Sequence, residues 1–198
     1  MNLTVTDLDG TLVRCNTLHV YIRCGVRQMY ACKKYLSLVK ALTLMALRRL
    51  KIISHARMKF GVCRLIDYRD IELRRMFENE IKPNVNTALV DVLQKNGEHV
   101  LLATAAPDVY VPWIWKGDYV ATRMDDNYSR LECRGEEKLR RVEEFATAAG
   151  LSLCTFYTDH IDDLPLILRS DDPVLVNPDK STEEYLRRNS IRFRYFDA

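Results

Sequence analysis

The chain has 198 residues, of which 47% are apolar and 29% are charged, with 7 Gly and 6 Pro. These values lie near the averages of soluble globular proteins, so they exclude intrinsic disorder and fibrous repeats. A chain of this length supports one full hydrophobic core and one small inserted module. Two large independent domains are therefore excluded.

Charge is divided unevenly along the chain. Residues 14 to 75 contain 15 Lys and Arg against three acids and carry +12, whereas the remaining residues carry −9. A segment this basic attracts anions, which include phosphorylated substrates, nucleic acid and anionic lipid.

The cysteines show no zinc-binding pattern, and the N-terminus shows no targeting pattern. The six cysteines include no Cys-x-x-Cys pair and no matching histidine spacing, so we expect reduced and mostly buried thiols. The first residues enter an apolar run without the basic region and long apolar core of a signal peptide. We therefore expect a cytoplasmic enzyme.

Five short apolar runs predict strands, with helical patterns between them. They are residues 3–6, 100–103, 154–157, 174–176 and 191–196. Continuous apolar runs are typical of strands that are buried on both faces of a parallel sheet. We predict an α/β fold with a Rossmann-like, doubly wound parallel sheet, whose ligands bind at the carboxyl ends of the strands.

Glycine caps and turn residues predict three further elements. Residues 84 to 96 form one predicted helix, closed by Gly97, and residues 136 to 149 form another, closed by Gly150. Residues 119 to 133 alternate weakly around Asp125-Asp126-Asn127, which predicts a hairpin with its turn at these three residues.

The long segment between the first two strands predicts an inserted module. Much of residues 17 to 80 repeats apolar positions at helical spacing. We predict an α-helical cap over residues 15 to 81, inserted into a core formed by residues 1 to 14 and 82 to 198. Lys82-Pro83 marks the return to the core, because proline disfavours helix at the residue before it.

The segment Asp7-Leu8-Asp9-Gly10-Thr11 follows the first strand directly. Its two carboxylates can face one crevice if the chain bends at Gly10, and they repel each other unless a cation lies between them. Hard oxygen ligands at such a place suit Mg²⁺. Pairs of acids are also common on protein surfaces. This segment alone therefore does not distinguish a metal site from a solvated surface pair.

Three further sets of polar residues lie directly after predicted strands or at the start of a predicted helix. Thr104 ends the second predicted strand, where a hydroxyl and adjacent backbone N–H groups can bind a phosphoryl oxygen. Lys138 opens a predicted helix and supplies a point charge for a phosphate or an aspartate. Asp159 and Asp163 follow a later strand. Each also has a structural interpretation as a turn, surface or capping residue, but their combination in this order favours a phosphoryl site.

The ordered set resembles the haloacid dehalogenase superfamily of phosphotransferases over the whole chain. The first family motif, Asp-x-Asp-Gly-Thr, matches residues 7 to 11, and the second and third match Thr104 and Lys138. The fourth, Asp-x-x-x-Asp, matches Asp159 and Asp163. The surrounding sequence looks like the branch that contains phosphoserine phosphatase, in which a helical cap is inserted after the first motif.

The resemblance implies a Mg²⁺-dependent phosphatase that acts through an aspartyl phosphate. Asp7 is then the nucleophile and Asp9 the general acid and base. The metal is held by the Asp7 carboxylate, the Asp9 backbone carbonyl and Asp159. Thr104 and Lys138 neutralise the transferring oxygens, and the last acid of the fourth motif, Asp163, orients Lys138 or a metal-bound water.

Two departures from the family pattern concern the substrate, which we expect to be a small phosphorylated molecule. Phosphoserine phosphatases have a Glu that binds the substrate amine, and the same offset here falls on Asn16, so phosphoserine is not expected. Thr158 stands where many relatives have Gly, a change that could narrow the site.

The predicted cap allows two interpretations. Residues 35 to 53 are apolar, but Lys40, Arg48, Arg49 and Lys51 interrupt them, so a transmembrane span is not expected. The segment either packs within the cap or lies on an anionic membrane surface. The second interpretation corresponds to a lipid-phosphate phosphatase, since the resembling branch includes phosphatases that act on phosphatidylglycerol phosphate.

We expect no nucleic-acid partner, because no binding motif or base-stacking platform is evident. A non-catalytic phospholigand-binding protein is a further alternative.

Overall fold

A computed structural model of the protein describes residues 1–95, 99–124 and 131–197. Its six strands form one sheet in which all paired neighbours are parallel. The strands are β1 (Asn2–Thr6), β2 (His99–Pro107), β3 (Asp118–Thr122), β4 (Ser152–Thr158), β5 (Asp172–Leu175) and β6 (Arg194–Tyr195). The predicted α/β class with a parallel sheet is confirmed.

The strand order is β3-β2-β1-β4-β5-β6. The connections run outward in one direction from β1 to β3 and in the other direction from β4 to β6. The order therefore reverses between β1 and β4, and α/β proteins bind ligands at the carboxyl ends of the strands beside such a reversal.

Four helices lie between β1 and Lys82-Pro83. They are α1 (Thr17–Ala31), α2 (Tyr35–Arg49), α3 (His55–Cys63) and α4 (Ile71–Ile81). Helix α4 ends directly before Lys82-Pro83, as the proline predicts. The insertion is thus helical, as expected. The boundary at residues 15 to 81 between cap and core stays a prediction.

The remaining helices complete a layered arrangement. They are α5 (Thr87–Lys95), α6 (Val111–Ile114), α7 (Glu136–Ala149), α8 (Leu164–Arg169) and α9 (Lys180–Arg188). Successive side chains of β2 point to opposite faces: Leu101 packs in the cluster under α7, whereas Leu102 packs in the cluster that includes the inserted helices. Apolar residues on both faces explain why the strands are continuous apolar runs.

The structure corrects two local predictions and confirms one. The helix predicted over residues 84 to 96 corresponds to α5, which begins later, at Thr87, because a short 3-10 turn at Lys82–Asn84 precedes it. Its predicted cap, Gly97, lies outside the described residues. The predicted hairpin is wrong in the described part, since β3 pairs in parallel with β2 and residues 131 to 133 form no strand. Its predicted turn, Asp125-Asp126-Asn127, lies outside the described residues. By contrast, α7 ends as predicted at Gly150, with φ +66°.

A cluster of buried aromatic rings joins the inserted helices to the sheet. Tyr21 of α1 and Phe77 of α4 lie 4.6 and 5.1 Å from the ring of Tyr110, which follows β2. All three side chains are fully buried. The Tyr110 hydroxyl lies 3.2 Å from Thr17 Oγ1, so the same cluster fixes the first turn of α1.

Removal of one ring tests this junction. We expect Phe77→Ala to lower the free energy of unfolding by about 3–5 kcal/mol, because it leaves a cavity in a closely packed core. Ile71→Ala on the same helix is the matched control, since Ile71 is 83% exposed and its loss costs less than about 0.5 kcal/mol. Urea unfolding measures both, and equal effects would contradict a structural role for the cluster.

Candidate active site

The end of β1 makes a sharp turn that brings Asp7 and Asp159 together. The Asp7 N–H donates to the Tyr157 carbonyl at 2.9 Å, which fixes Asp7 beside the end of β4. Gly10 follows with φ +83°. A Cβ at Gly10 would lie 1.9 Å from Asp159 Oδ2, so both the backbone conformation and the adjacent carboxylate require glycine.

Lys138 forms the centre of a buried charge cluster. It is only 2% exposed, at the start of α7, and its Nζ lies 2.8 Å from Asp7 Oδ1 and 2.6 Å from Asp163 Oδ1. The two acids come from different strand ends and share one ammonium group. The ion pairs therefore connect three elements that are distant in sequence.

The Asp9 carboxylate is held by the start of the inserted helices. Its Oδ1 accepts a hydrogen bond from the Thr17 backbone N–H at 2.8 Å, in the first turn of α1. Helix N-termini have free N–H donors and a partial positive charge, so this contact suits a carboxylate. Asn16 caps the same helix by accepting from the His19 N–H at 3.0 Å.

Threonine hydroxyls orient the two acids after β4. Thr11 Oγ1 donates to Asp159 Oδ1 at 3.3 Å, and Thr158 Oγ1 donates to Asp163 Oδ2 at 2.8 Å. Thr158, which differs from the Gly of many relatives, is fully buried and its hydroxyl satisfies one oxygen of Asp163. The threonine thus orients an acid of the cluster.

Thr104 lies within β2, buried beside these acids. Its Oγ1 accepts a hydrogen bond from the Ala106 N–H at 3.0 Å, and among the residues that the structure describes its hydroxyl has no protein acceptor, so it can donate to a ligand. All six predicted site residues line one cavity of about 260 Å³: Asp7, Asp9, Thr104, Lys138, Asp159 and Asp163.

Burial dominates the electrostatics of this cavity. It raises the pKa of Asp7 above the ordinary value; Lys138 lowers that pKa in part, and Asp163 and Asp159 raise it further. Burial also raises the pKa of Asp159 to about 6, and that of Asp9 above its usual range against the opposing hydrogen bond from Thr17. Negative charge is therefore in excess around the ammonium group of Lys138.

The oxygen atoms of Asp7, Asp9 and Asp159 are donors that suit a hard cation such as Mg²⁺. Within the three described ranges, no three His, Cys, Asp or Glu side chains form a metal-binding group. The implied ligand set needs only two carboxylates, those of Asp7 and Asp159, with the backbone carbonyl of Asp9. Because the charge of Asp159 raises the pKa of Asp7, a cation between them would relieve their repulsion.

The residues that face these acids from the inserted helices were not predicted from the sequence. Lys59 of α3 is 2% exposed and donates to the Ala105 carbonyl at 2.7 Å. It also forms an ion pair with Glu132, which lies 3.8 Å from His55 Nδ1. His55, Lys59 and Glu132 line the cavity with Arg134. In the sequence, Lys59 was one of many cations, and no local pattern indicated its partner 73 residues away.

The family model described as haloacid dehalogenase-like hydrolase matches residues 4–168. The chain therefore belongs to the haloacid dehalogenase-like hydrolase family, and the resemblance noted from the motifs is confirmed. No curated protein matches the chain.

Several solved structures share the fold at low sequence identity. A protein of unknown function from Bordetella pertussis Tohama I has a TM-score of 0.77 and 20% identity, covering 99% of this chain and 98% of its own. A phosphoserine phosphatase in its apo form has a TM-score of 0.57 and 14% identity, covering 98% and 92%. A phosphatase structure from Clostridium difficile, described there as putative, has a TM-score of 0.56 and 12% identity, covering 100% and 96%. These likenesses show the fold.

The pair formed by Lys59 and Glu132 generates a stability prediction. Contacts with His55 and then Lys59 lower the pKa of Glu132 from 4.5 to about 2. We expect Lys59→Met to lower the free energy of unfolding at pH 7 by about 1–3 kcal/mol, because Glu132 loses its buried partner. The exposed Lys40→Met is the matched control.

A double substitution and the pH dependence of unfolding distinguish loss of the Lys59–Glu132 ion pair from loss of side-chain packing. Lys59→Met combined with Glu132→Gln should recover part of the loss, since no carboxylate is then left unpaired. Because the pKa of Glu132 is depressed on folding, its contribution is present above about pH 4.5 and is lost as the pH falls toward 2. A loss from Lys59→Met that is independent of pH over this range would contradict the assignment. Urea unfolding at several pH values measures it.

Proposed function

We propose that the protein is a Mg²⁺-dependent phosphatase that hydrolyses a phosphomonoester through an aspartyl phosphate on Asp7. The observation that carries this proposal is the convergence of the six motif residues on one cavity, with Lys138 between Asp7 and Asp163. Family membership supports hydrolysis. The cavity also combines an acceptor carboxylate with donors for phosphoryl oxygens.

The first half-reaction is transfer of the phosphoryl group to Asp7. One carboxylate oxygen of Asp7 attacks phosphorus while the bond from phosphorus to the ester oxygen breaks. Asp9 donates a proton to the leaving oxygen, a role that its raised pKa supports. Thr104 and Lys138 donate hydrogen bonds to the transferring oxygens, where charge develops.

The second half-reaction returns Asp7 to its starting state. Water attacks phosphorus, Asp9 takes its proton, and the bond between phosphorus and the Asp7 oxygen breaks to release inorganic phosphate. Mg²⁺, held by the Asp7 carboxylate, the Asp9 carbonyl and Asp159, would supply charge neutralisation for the phosphate. Asp163 holds Lys138 in place through its 2.6 Å contact.

The nucleophile is tested by Asp7→Asn. We expect this variant to lose essentially all hydrolysis of p-nitrophenyl phosphate with Mg²⁺ while it keeps its far-UV circular dichroism, because an amide cannot form the acyl phosphate. Asp91→Asn, an exposed position on α5, is the matched control. Beryllium fluoride should inhibit the parent protein.

Two results would contradict the proposal. Turnover by Asp7→Asn near the parent rate would exclude Asp7 as the nucleophile. A parent protein that binds phosphomonoesters and hydrolyses none would support the alternative of a non-catalytic phospholigand-binding protein.

A lipid phosphate at a membrane surface is the second candidate substrate, and the surface of α2 favours it. Only Ala41 of this helix is buried, whereas Leu36 and Val39 are 71% and 59% exposed. Cations stand among these side chains, as expected of a helix that lies on an anionic bilayer. No helix among the residues that the structure describes has the length and hydropathy to cross a membrane.

Charge removal tests the second candidate. We expect replacement of Arg48, Arg49 and Lys51 by Gln to abolish sedimentation with anionic vesicles, since each cation near the surface contributes about 1 kcal/mol. Hydrolysis of p-nitrophenyl phosphate should stay unchanged, because that ester needs no membrane. The control removes the same charge from the core, at Lys82, Lys180 and Arg192. Failure of the parent to sediment with vesicles would leave the soluble-substrate phosphatase alone.

A further inference from the structure

A second cavity, of about 570 Å³, lies among the inserted helices and contains none of the motif residues. Its apolar lining comes from three helices: Ile22 and Val26 of α1, Leu42 and Met45 of α2, and Met58 of α3. We call it the α1/α2 groove. Leu42 is 47% exposed and Met45 is 37% exposed, so the groove presents apolar surface to water.

The groove is bordered by an excess of positive charge. Arg23 and Arg27 of α1 both pair with Glu80, so one carboxylate serves two guanidinium groups. Arg48 and Arg49 of α2 also line the groove. Neither has an ion-pair partner in the part of the chain that the structure describes. An apolar lining with cations at its border matches a molecule with a hydrocarbon part and a negative charge.

Residues that are neighbours in sequence line the groove and the catalytic cavity. On α1, Leu18 lines the catalytic cavity and His19 lines the groove; on α3, Lys59 lines the catalytic cavity and Met58 lines the groove. From His19 the lining continues along α1 to Arg27, a distance of roughly 12 Å at 1.5 Å per residue.

Helix direction brings Arg48 and Arg49 to this same end. Helices α1 and α2 are joined by the short connection 32–34 and pack against each other, so they run antiparallel. The end of α2, with Arg48 and Arg49, therefore lies toward the start of α1. An anionic head near the catalytic cavity and a chain directed away from it would meet complementary surfaces.

We propose that the α1/α2 groove binds the hydrocarbon chain of an anionic amphiphile whose phosphate group enters the catalytic cavity. This inference rests on the proposed phosphatase function and specifies its substrate class as a long-chain alkyl phosphomonoester. A peptide partner is less well matched, because the groove is strongly basic at its border and its lining residues are sequence neighbours of residues that line the catalytic cavity.

A series of n-alkyl phosphates tests the chain length that the enzyme recognises. Below their micellar concentrations, we expect kcat/KM to rise about tenfold or more from butyl to octyl phosphate, because each methylene taken out of water strengthens binding several-fold. Most of this rise should appear in KM, since the chain contributes equally before and during the reaction.

Two valines provide a matched pair of variants. Val26→Trp fills the groove and should remove the advantage of octyl phosphate, while p-nitrophenyl phosphate turnover stays at the parent rate. Val39→Trp on α2 is the control, because Val39 is 59% exposed and does not line the groove. Leu42→Asp is a second variant that places a carboxylate in the groove at a half-exposed position. Circular dichroism and thermal unfolding verify that each variant folds.

Direct binding separates failure of this inference from failure of the proposed function. Titration calorimetry with decylphosphonate, which cannot be hydrolysed as a monoester, should give binding by the parent and at least tenfold weaker binding by Val26→Trp. If phosphomonoesters are hydrolysed without dependence on chain length, or if Val26→Trp and Val39→Trp bind decylphosphonate equally, the groove inference is overturned and the phosphatase stands. If no phosphomonoester is hydrolysed, the proposed function fails, and the calorimetry alone decides whether the groove binds a chain.

Discussion

Four carboxylates, those of Asp7, Asp9, Asp159 and Asp163, are held around the buried ammonium group of Lys138, and this crowding of charge constrains the structure near it. Removing charges from water is costly unless each is paired and hydrogen-bonded. Lys138 pairs with two of the acids, and the first turn of α1 donates to a third. Threonine hydroxyls satisfy further oxygens. The excess negative charge that remains is suited to a metal cation.

The parallel sheet supplies this arrangement because strand ends meet at one edge. Asp7 and Asp159 follow β1 and β4, which are neighbours where the strand order reverses. Gly10 lets the chain turn against the Asp159 carboxylate, at a separation that leaves no room for a side chain. The conformation of one glycine and the order of the strands together position acids that lie about 150 residues apart in sequence.

The inserted helices complete the site from the opposite side. Lys59 reaches across the cavity to the Ala105 carbonyl and Glu132, so the basic segment is bound to the acidic core at the rim of the site. The cavity has a volume of about 260 Å³, and electrostatic interactions in such a partly enclosed space are stronger than in open water. The uneven charge of the sequence thus has a structural consequence: the helices that cover the acids are the basic ones.

The sequence by itself determined five of the six described strands, the helical insertion and the six motif residues, whereas β3 fell in a segment predicted as a hairpin. Buried parallel strands are continuous apolar runs, and residues that follow such runs must gather at one edge of the sheet, so local patterns carried this information. The roles of Asp7, Asp9 and the other motif residues came from their match to a family, not from spacing alone.

Only the tertiary structure decided which distant side chains meet. The pairing of Lys59 with Glu132, the hydroxyl of Thr158 on Asp163, and the parallel pairing of β3 depend on how helices and strands pack. The α1/α2 groove likewise depends on the separation of two helices, and helical periodicity says which face of a helix is apolar but not what covers that face. Contacts between residues far apart in sequence are set by packing angles and register, which no local pattern of residues encodes.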